Sequence, residues 1–128
     1  MSSIEFVAYK GERFTIEWFY DDKHRSQALD YFESLSEQQQ DKVLYLFKKM
    51  GDHGQIKDVT KFRNEGDHIY AFKPQPDRFL CFFFKGGKII VTNAFLKKQD
   101  KLPSNEKNRA LHYMKDYEKR VKEDHYYG

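Results

Sequence analysis

Between Arg78 and Lys98 the chain reads RFLCFFFKGGKIIVTNAFLKK, and the groups able to do chemistry sit at its two ends. Arg78 opens the stretch; Asn93, Phe95, Lys97 and Lys98 close it. A guanidinium offers two parallel donors to a phosphate or carboxylate, whereas an ammonium is a compact point charge. An amide such as that of Asn93 donates to phosphate or base but exchanges no proton near neutral pH. Phe95 reads first as a packing residue and second as a platform for a base. Adjacent strand residues face opposite ways, so only one of Lys97 and Lys98 is expected to turn toward a shared site. Arg63 is a further cation whose orientation the pattern leaves open. A proton-transfer group is harder to name. His68 and Tyr70 share one predicted strand and His112 lies on the last predicted helix, with no pairing between them. No dense group of His, Asp and Glu stands at metal-ligand spacing, so the pattern does not favour a metal centre. The chemistry on offer is therefore the gripping of a phosphodiester or an acidic partner by converging cations.

Those cations need a scaffold, and the same stretch supplies it. Phe79 to Phe84 is apolar at every position, which fits an arm covered on both faces in the middle of a sheet. Gly86 and Gly87 suit a tight two-residue turn with positive φ. Lys88 to Leu96 carries β-branched Ile89, Ile90, Val91 and Thr92, as a second arm should. The spacing predicts a β-hairpin.

Upstream, residues 1–12 read either as a short edge strand (IEFVAY) or as an ordered tail. Residues 13–20 alternate, with Phe14, Ile16 and Trp18 on one face and Thr15 and Glu17 on the other, and predict a strand. Ala28, Leu29, Phe32 and Leu35 have helical spacing from about Ser26 to Ser34. Ser36, followed by Glu37 and Gln39, reads as the N-cap of a second helix. That helix runs to Met50 on the stripe Val43, Leu46, Phe47 and Met50, with Gly51 as C-cap and Gly54 as a further breaker. So short a link makes a helical hairpin laid on the sheet.

Downstream, Val59 to Arg63 and His68 to Lys73 are predicted strands around a loop at Asn64–Asp67, and Pro74 and Pro76 end the second. Pro103 stops the sheet, and Ser104 or Asn105 caps a last helix. Its buried stripe is Ala110, Met114, Tyr117 and Val121; Arg109, Lys115, Lys119, Arg120 and Lys122 fall on the opposite face. The tail DHYYG is expected to fray. The class is α+β, an antiparallel or mixed sheet of four to five strands with a helical hairpin and a C-terminal helix packed on it.

Bulk properties are consistent with this. The chain has 128 residues, enough for one domain spanning 1–128 with a core of its own. Aromatic residues make up 17% and charged residues 34%, which fits a Phe and Tyr core inside a solvated shell. The one cysteine, Cys81, excludes an intramolecular disulfide and reads as a buried hydrophobe. The N-terminus lacks a basic region followed by an apolar run, and no stretch approaches spanning length, so the expected place is the cytoplasm, away from membranes. Net charge is +3, but Lys97 to Lys122 holds nine Lys/Arg against four Asp/Glu. That local excess favours a polyanionic or acidic partner.

Taken together, these stretches resemble the RelE/ParE superfamily of bacterial toxins, and most closely its HigB-type, phage-derived branch, over about residues 13–118. The helical hairpin ALDYFESLSEQQQDKVLYLFKKMGDHG matches the branch's small residue, Phe and Leu, polar turn and Lys-rich helix ending in His-Gly. RFLCFFF resembles its Arg-Val-Leu-Tyr strand, and NAFLKK its His-Gly/Ala-Phe-x-Lys-Lys strand end. KLP, Glu106 and Ala110 follow at the branch's spacing. Two positions depart from it: Asn93 stands where the branch has His, and Ala71, Phe72 and Lys73 stand where it has Glu-Leu-Arg.

The resemblance implies a RelE-like fold and a type II toxin, an endoribonuclease acting on mRNA, on the ribosome in the better-known members. The 2′-OH attacks the neighbouring phosphate. A base takes its proton, cations stabilise the transition state, and an acid protonates the leaving 5′ oxygen. It implies no cofactor and no metal. Arg78 matches the strand arginine, Lys73 holds the other arginine's place, and Lys97 and Lys98 match the Lys-Lys pair; Arg78, Lys73 and Lys97 are the expected catalytic residues. Lys98, Asn93, Arg63, Phe95 and His68 are the expected RNA contacts. The implied partners are mRNA, the ribosome and a helix-turn-helix antitoxin. Two rival readings remain: a ParE-like poison of DNA gyrase, and a catalytically impaired module that binds RNA or antitoxin.

Overall fold

A computed structural model describes residues 6–127. Its elements run β1 (Val7–Lys10), β2 (Thr15–Trp18), α1 (Gln27–Ser34), α2 (Glu37–His53), β3 (Phe62–Gly66), β4 (Ile69–Phe72), β5 (Asp77–Phe84), β6 (Lys88–Leu96) and α3 (Ser104–Lys122). The class is α+β. The sheet has six strands rather than four to five, in the order β1-β2-β6-β5-β4-β3. β2 runs parallel to β6 and every other pairing is antiparallel.

The extra strand is β1, the stretch the sequence left open; Ile4 and Glu5 of it lie outside the described residues. Gly11 makes this edge possible. A Cβ on Gly11 would sit 2.2 Å from the Gly51 carbonyl carbon, so the β1–β2 turn lies directly on the α2 backbone. There the Gly51 carbonyl accepts from the amides of Arg13 (2.7 Å) and Phe14 (2.9 Å). Gly51 is thus a buried contact inside α2, not its C-cap. The cap is Gly54, at φ +79, whose amide bonds to the Met50 carbonyl.

The central hairpin forms as expected, with β5 and β6 in the middle of the sheet. Phe84 pairs with Lys88, so the connection is three residues, Lys85 to Gly87, and not two. Gly86 and Gly87 take φ +84 and +71. Of the two strands before it, β4 falls within the predicted His68–Lys73, whereas β3 lies further along the chain than the pattern predicts. Asp58 accepts from the Thr60 amide and hydroxyl, and its carbonyl from the amides of Lys61 and Phe62, which coils Val59–Lys61 into a turn. β3 therefore includes Asn64 to Gly66. The reversal falls on Asp67 and His68, both at positive φ, which short polar side chains tolerate best.

Strand alternation divides the sheet into two layers. One face holds Ile16, Trp18, Phe72 and Phe79, buried under α1 and α2. Phe47 of α2 sits among them, with ring centroids 5.5 Å from Trp18 and 4.9 Å from Phe72. Ser26 and Ser36 cap α1 and α2, accepting from the amides of Leu29 and Gln39. The other face carries Glu17, Arg78, Leu80, Phe82, Asn93 and Phe95. α3 covers it, with Tyr117 packed edge-on against Phe82 and Phe84.

α3 differs from expectation in two ways. Pro103 is its N-cap, without a side-chain hydrogen bond, so Ser104 and Asn105 lie inside the helix. Arg120 is not on the solvated face. It donates to the carbonyls of Tyr20 (2.9 Å) and Asp21 (3.3 Å), pairs with Asp116 at 2.8 Å, and lies 4.8 Å from the Tyr126 ring. The chain end explains this. Tyr126 is buried, and the Tyr127 hydroxyl donates to the buried Glu17 at 2.7 Å. The expected frayed tail, as far as Tyr127, is instead folded onto the sheet.

Candidate phosphate-binding site

β5 begins with two buried charges aimed at opposite layers. Asp77 accepts from the Tyr31 hydroxyl at 2.5 Å and from Gln39 Nε2 at 2.9 Å, tying the strand's start to the helical hairpin. Burial and this bond to Asp77 push the Tyr31 phenol well above its ordinary range. With Asp77 fixed on one face, alternation sends Arg78 to the other. Arg78 is only 7% exposed. Its Nη1 donates to the Asp77 carbonyl (3.0 Å), Gln75 Oε1 (3.2 Å) and the Pro76 carbonyl (3.5 Å). Nη2 and Nε have no protein partner among the described residues, and neither is sealed from solvent. The guanidinium is anchored by one nitrogen and leaves two donors for a ligand.

Around it lies a shallow depression of about 20 Å³ lined by Arg63, Glu65, Lys73, Arg78, Phe95 and Lys97, with Ala71 among its lining and the segment 99–103 along one side. Each cation arrives there by register. Arg63 pairs with Ala71 and Ala71 with Leu80, which places them on the face of Arg78. Lys73 follows Ala71 by two residues; its amide bonds to the Lys61 carbonyl and its Nζ to the Val59 carbonyl at 3.2 Å. Lys97 follows Phe95, the partner of Arg78. Its amide bonds to the Pro76 carbonyl at 3.0 Å and its Nζ to Asp100 at 3.1 Å.

The electrostatics record this crowding. The Lys73 ammonium is held below its ordinary pKa, first by burial and then by Arg78, Arg63 and Lys97, against a raising effect of Glu65. Burial also lowers Arg78, which stays protonated. Five cations, with Lys101 of the 99–103 segment counted, thus face two carboxylates, Glu65 and Asp100. Asp100 is taken by Lys97, while Glu65 has no ion pair or hydrogen bond through its carboxylate among the described residues. Like charges drawn together without enough counter-charge form a site for an anion.

The remaining expected contacts fall elsewhere. Lys98 lines a neighbouring depression, so the Lys-Lys pair does divide between two directions. Asn93 is fully buried and therefore not placed to touch RNA: its Nδ2 donates to Glu106 Oε1 at 3.0 Å and to the Glu106 carbonyl at 3.2 Å. His68 sits exposed on the β3–β4 turn at φ +70, and no histidine among the described residues lines the depression. Sequence reasoning missed Glu65. Its signal was there, since Arg63 and Glu65 are two apart, but only a strand running through both makes that spacing meaningful.

The model of the phage-derived Gp49-like proteins (DUF891) matches residues 30–115. The chain belongs to that family. The matched segment of this Gp49-like chain runs from α1 into α3 and includes every residue named around the depression. The Gp49-like family is related to the RelE/ParE-type toxins, the superfamily whose motifs the sequence resembles. No curated protein matches this Gp49-like chain. Among its described residues no helix is long and apolar enough to cross a membrane.

Proposed function

We propose that this Gp49-like protein is the HigB-type toxin of a type II toxin–antitoxin pair, an endoribonuclease that cleaves mRNA on the ribosome. The observation that carries the reading is Arg78. It is buried and anchored through Nη1, with Nη2 and Nε unclaimed in the midst of Arg63, Lys73 and Lys97. Such a group is pre-organised for a phosphate, and its two free donors match two phosphate oxygens.

In this mechanism Arg78, Arg63 and Lys97 hold the scissile phosphate and stabilise the charge that accumulates on it. Glu65 takes the proton of the 2′-OH. The 2′ oxygen bonds to phosphorus, the bond from phosphorus to the 5′ oxygen breaks, and Lys73 donates a proton to that leaving oxygen. A lysine whose pKa is lowered is a better acid than an ordinary one, which suits Lys73 to the step. The products are a 2′,3′-cyclic phosphate and a 5′-hydroxyl. The cations already in place take the role a metal would otherwise fill. A helix-turn-helix antitoxin with an acidic surface would cover the same charges.

The burial of Asn93, where the HigB-type branch has His, favours a second reading: a module that binds RNA or antitoxin without cutting. Incubating the purified protein with mRNA or ribosome complexes in EDTA and mapping RNA ends separates the two. Cyclic phosphate ends support the nuclease; intact RNA that is nonetheless bound supports the module. Inhibition of supercoiling by purified gyrase, with RNA untouched, would favour a ParE-like poison.

A further inference from the structure

The cationic depression is too small to enclose a nucleotide, at about 20 Å³. Beside it lies a second, open depression of about 630 Å³, within the range of small-ligand sites. The two share Phe95, Gln99 and Pro103. We infer that the second depression is a nucleobase subsite that selects guanine next to the bound phosphate; this rests on the phosphate-binding reading above.

Three features specify the base. Phe95 is half-buried on the boundary, so a base attached to a phosphate held by Arg78 has an aromatic face within reach. A purine gains more from that face than a pyrimidine because its ring system is larger. Glu106 lines the second depression with a side chain only 16% exposed. Its Oε1 accepts from Asn93 Nδ2 at 3.0 Å and lies 3.7 Å from Arg109 Nη1. Its Oε2 has no hydrogen-bond partner among the described residues and is not sealed from solvent.

A carboxylate only accepts. Held by a buried amide, this one stays fixed in place, and its second oxygen, which solvent reaches, can exchange water for the donors of a ligand. It therefore rewards a base edge made of donors. Guanine presents two adjacent donors on its Watson–Crick edge, N1–H and the N2 amino group. Adenine offers one donor beside an acceptor that the carboxylate repels, and uracil one donor between two acceptors. On this view Asn93 is a positioning residue: it fixes Glu106 and does not touch RNA.

The test is binding of mononucleotides to the full chain by NMR titration, with inorganic phosphate as reference. We expect guanosine monophosphate, as the 3′ or the 5′ isomer, to bind at least about tenfold more tightly than the adenosine, cytidine and uridine forms. Inosine monophosphate, which lacks the N2 amino group, should lose much of that advantage. That comparison uses the unaltered protein and so does not depend on any variant folding. Glu106→Gln should collapse the difference between guanosine and adenosine forms. Equal binding of all four nucleotides, with phosphate also bound, would overturn the guanine subsite and leave the phosphate site standing. If neither phosphate nor any nucleotide binds, the phosphate reading itself has failed and the subsite with it.

Discussion

Asn93 Nδ2 donates to the Glu106 carboxylate at 3.0 Å and to the Glu106 carbonyl at 3.2 Å, so one buried amide fastens the first turn of α3 to β6. Asn93 Oδ1 in turn accepts from Thr92 Oγ1 at 2.7 Å. Because α3 starts from Pro103 without a side-chain cap, this amide is a main restraint on where the helix begins.

Replacing Asn93 with Ala removes that restraint and leaves buried polar groups unpaired. We expect a stability loss of about 1–3 kcal/mol by denaturant titration. Asn93→Asp should be worse, since it faces the Glu106 carboxylate with a second negative charge. A loss under a few tenths of a kcal/mol would show that the first turn is held by other contacts.

Glu65 is the carboxylate left unpaired among the cations, which predicts an unusual split between binding and turnover. Glu65→Gln should lower the cleavage rate by roughly 10²–10⁴-fold. RNA affinity should stay equal or rise, because a negative charge leaves the phosphate site. Loss of affinity in parallel with rate would mean that Glu65 organises the cations and moves no proton.

The depressed pKa of Lys73 has a signed consequence. Its folded pKa lies below its unfolded one, so the folded state binds fewer protons in the interval between them. Stability should therefore rise with pH from the lowered folded value up to the ordinary lysine range. Lys73→Met should abolish that rise. A bound phosphate pushes the pKa back up, so binding in that interval should take up protons. Calorimetry in buffers of different ionisation enthalpy measures this, and proton release on binding would contradict it.

RNA held through its phosphates should also dissociate as salt is raised. For single strands the log–log slope should be roughly −0.7 per neutralised phosphate. A slope indistinguishable from zero would argue against a surface that tracks phosphate.

What could be read from the sequence followed from period and composition. The apolar run Phe79–Phe84 places β5 inside the sheet, and once it is there Arg78 and Phe95 share a face through pairing alone. Lys73 and Lys97 follow by alternation. What could not be read depended on contacts distant in sequence. Glu65 was hidden because β3 begins only after the Asp58–Thr60 turn, which a run of β-formers does not announce. Arg120 looked solvated because nothing local reveals that Tyr20 and Tyr126 close around it. Asn93 looked like a ligand contact because its partner, Glu106, lies in α3, the helix that covers that face of the sheet.

The most direct measurement is the chemistry of RNA ends produced by the intact protein and by Arg78→Ala, in EDTA, with folding of both checked by circular dichroism. The account predicts 2′,3′-cyclic phosphate and 5′-hydroxyl ends from the intact protein, and a loss of cleavage of roughly 10²-fold or more in a variant that still folds. Cleavage undiminished by Arg78→Ala would contradict it.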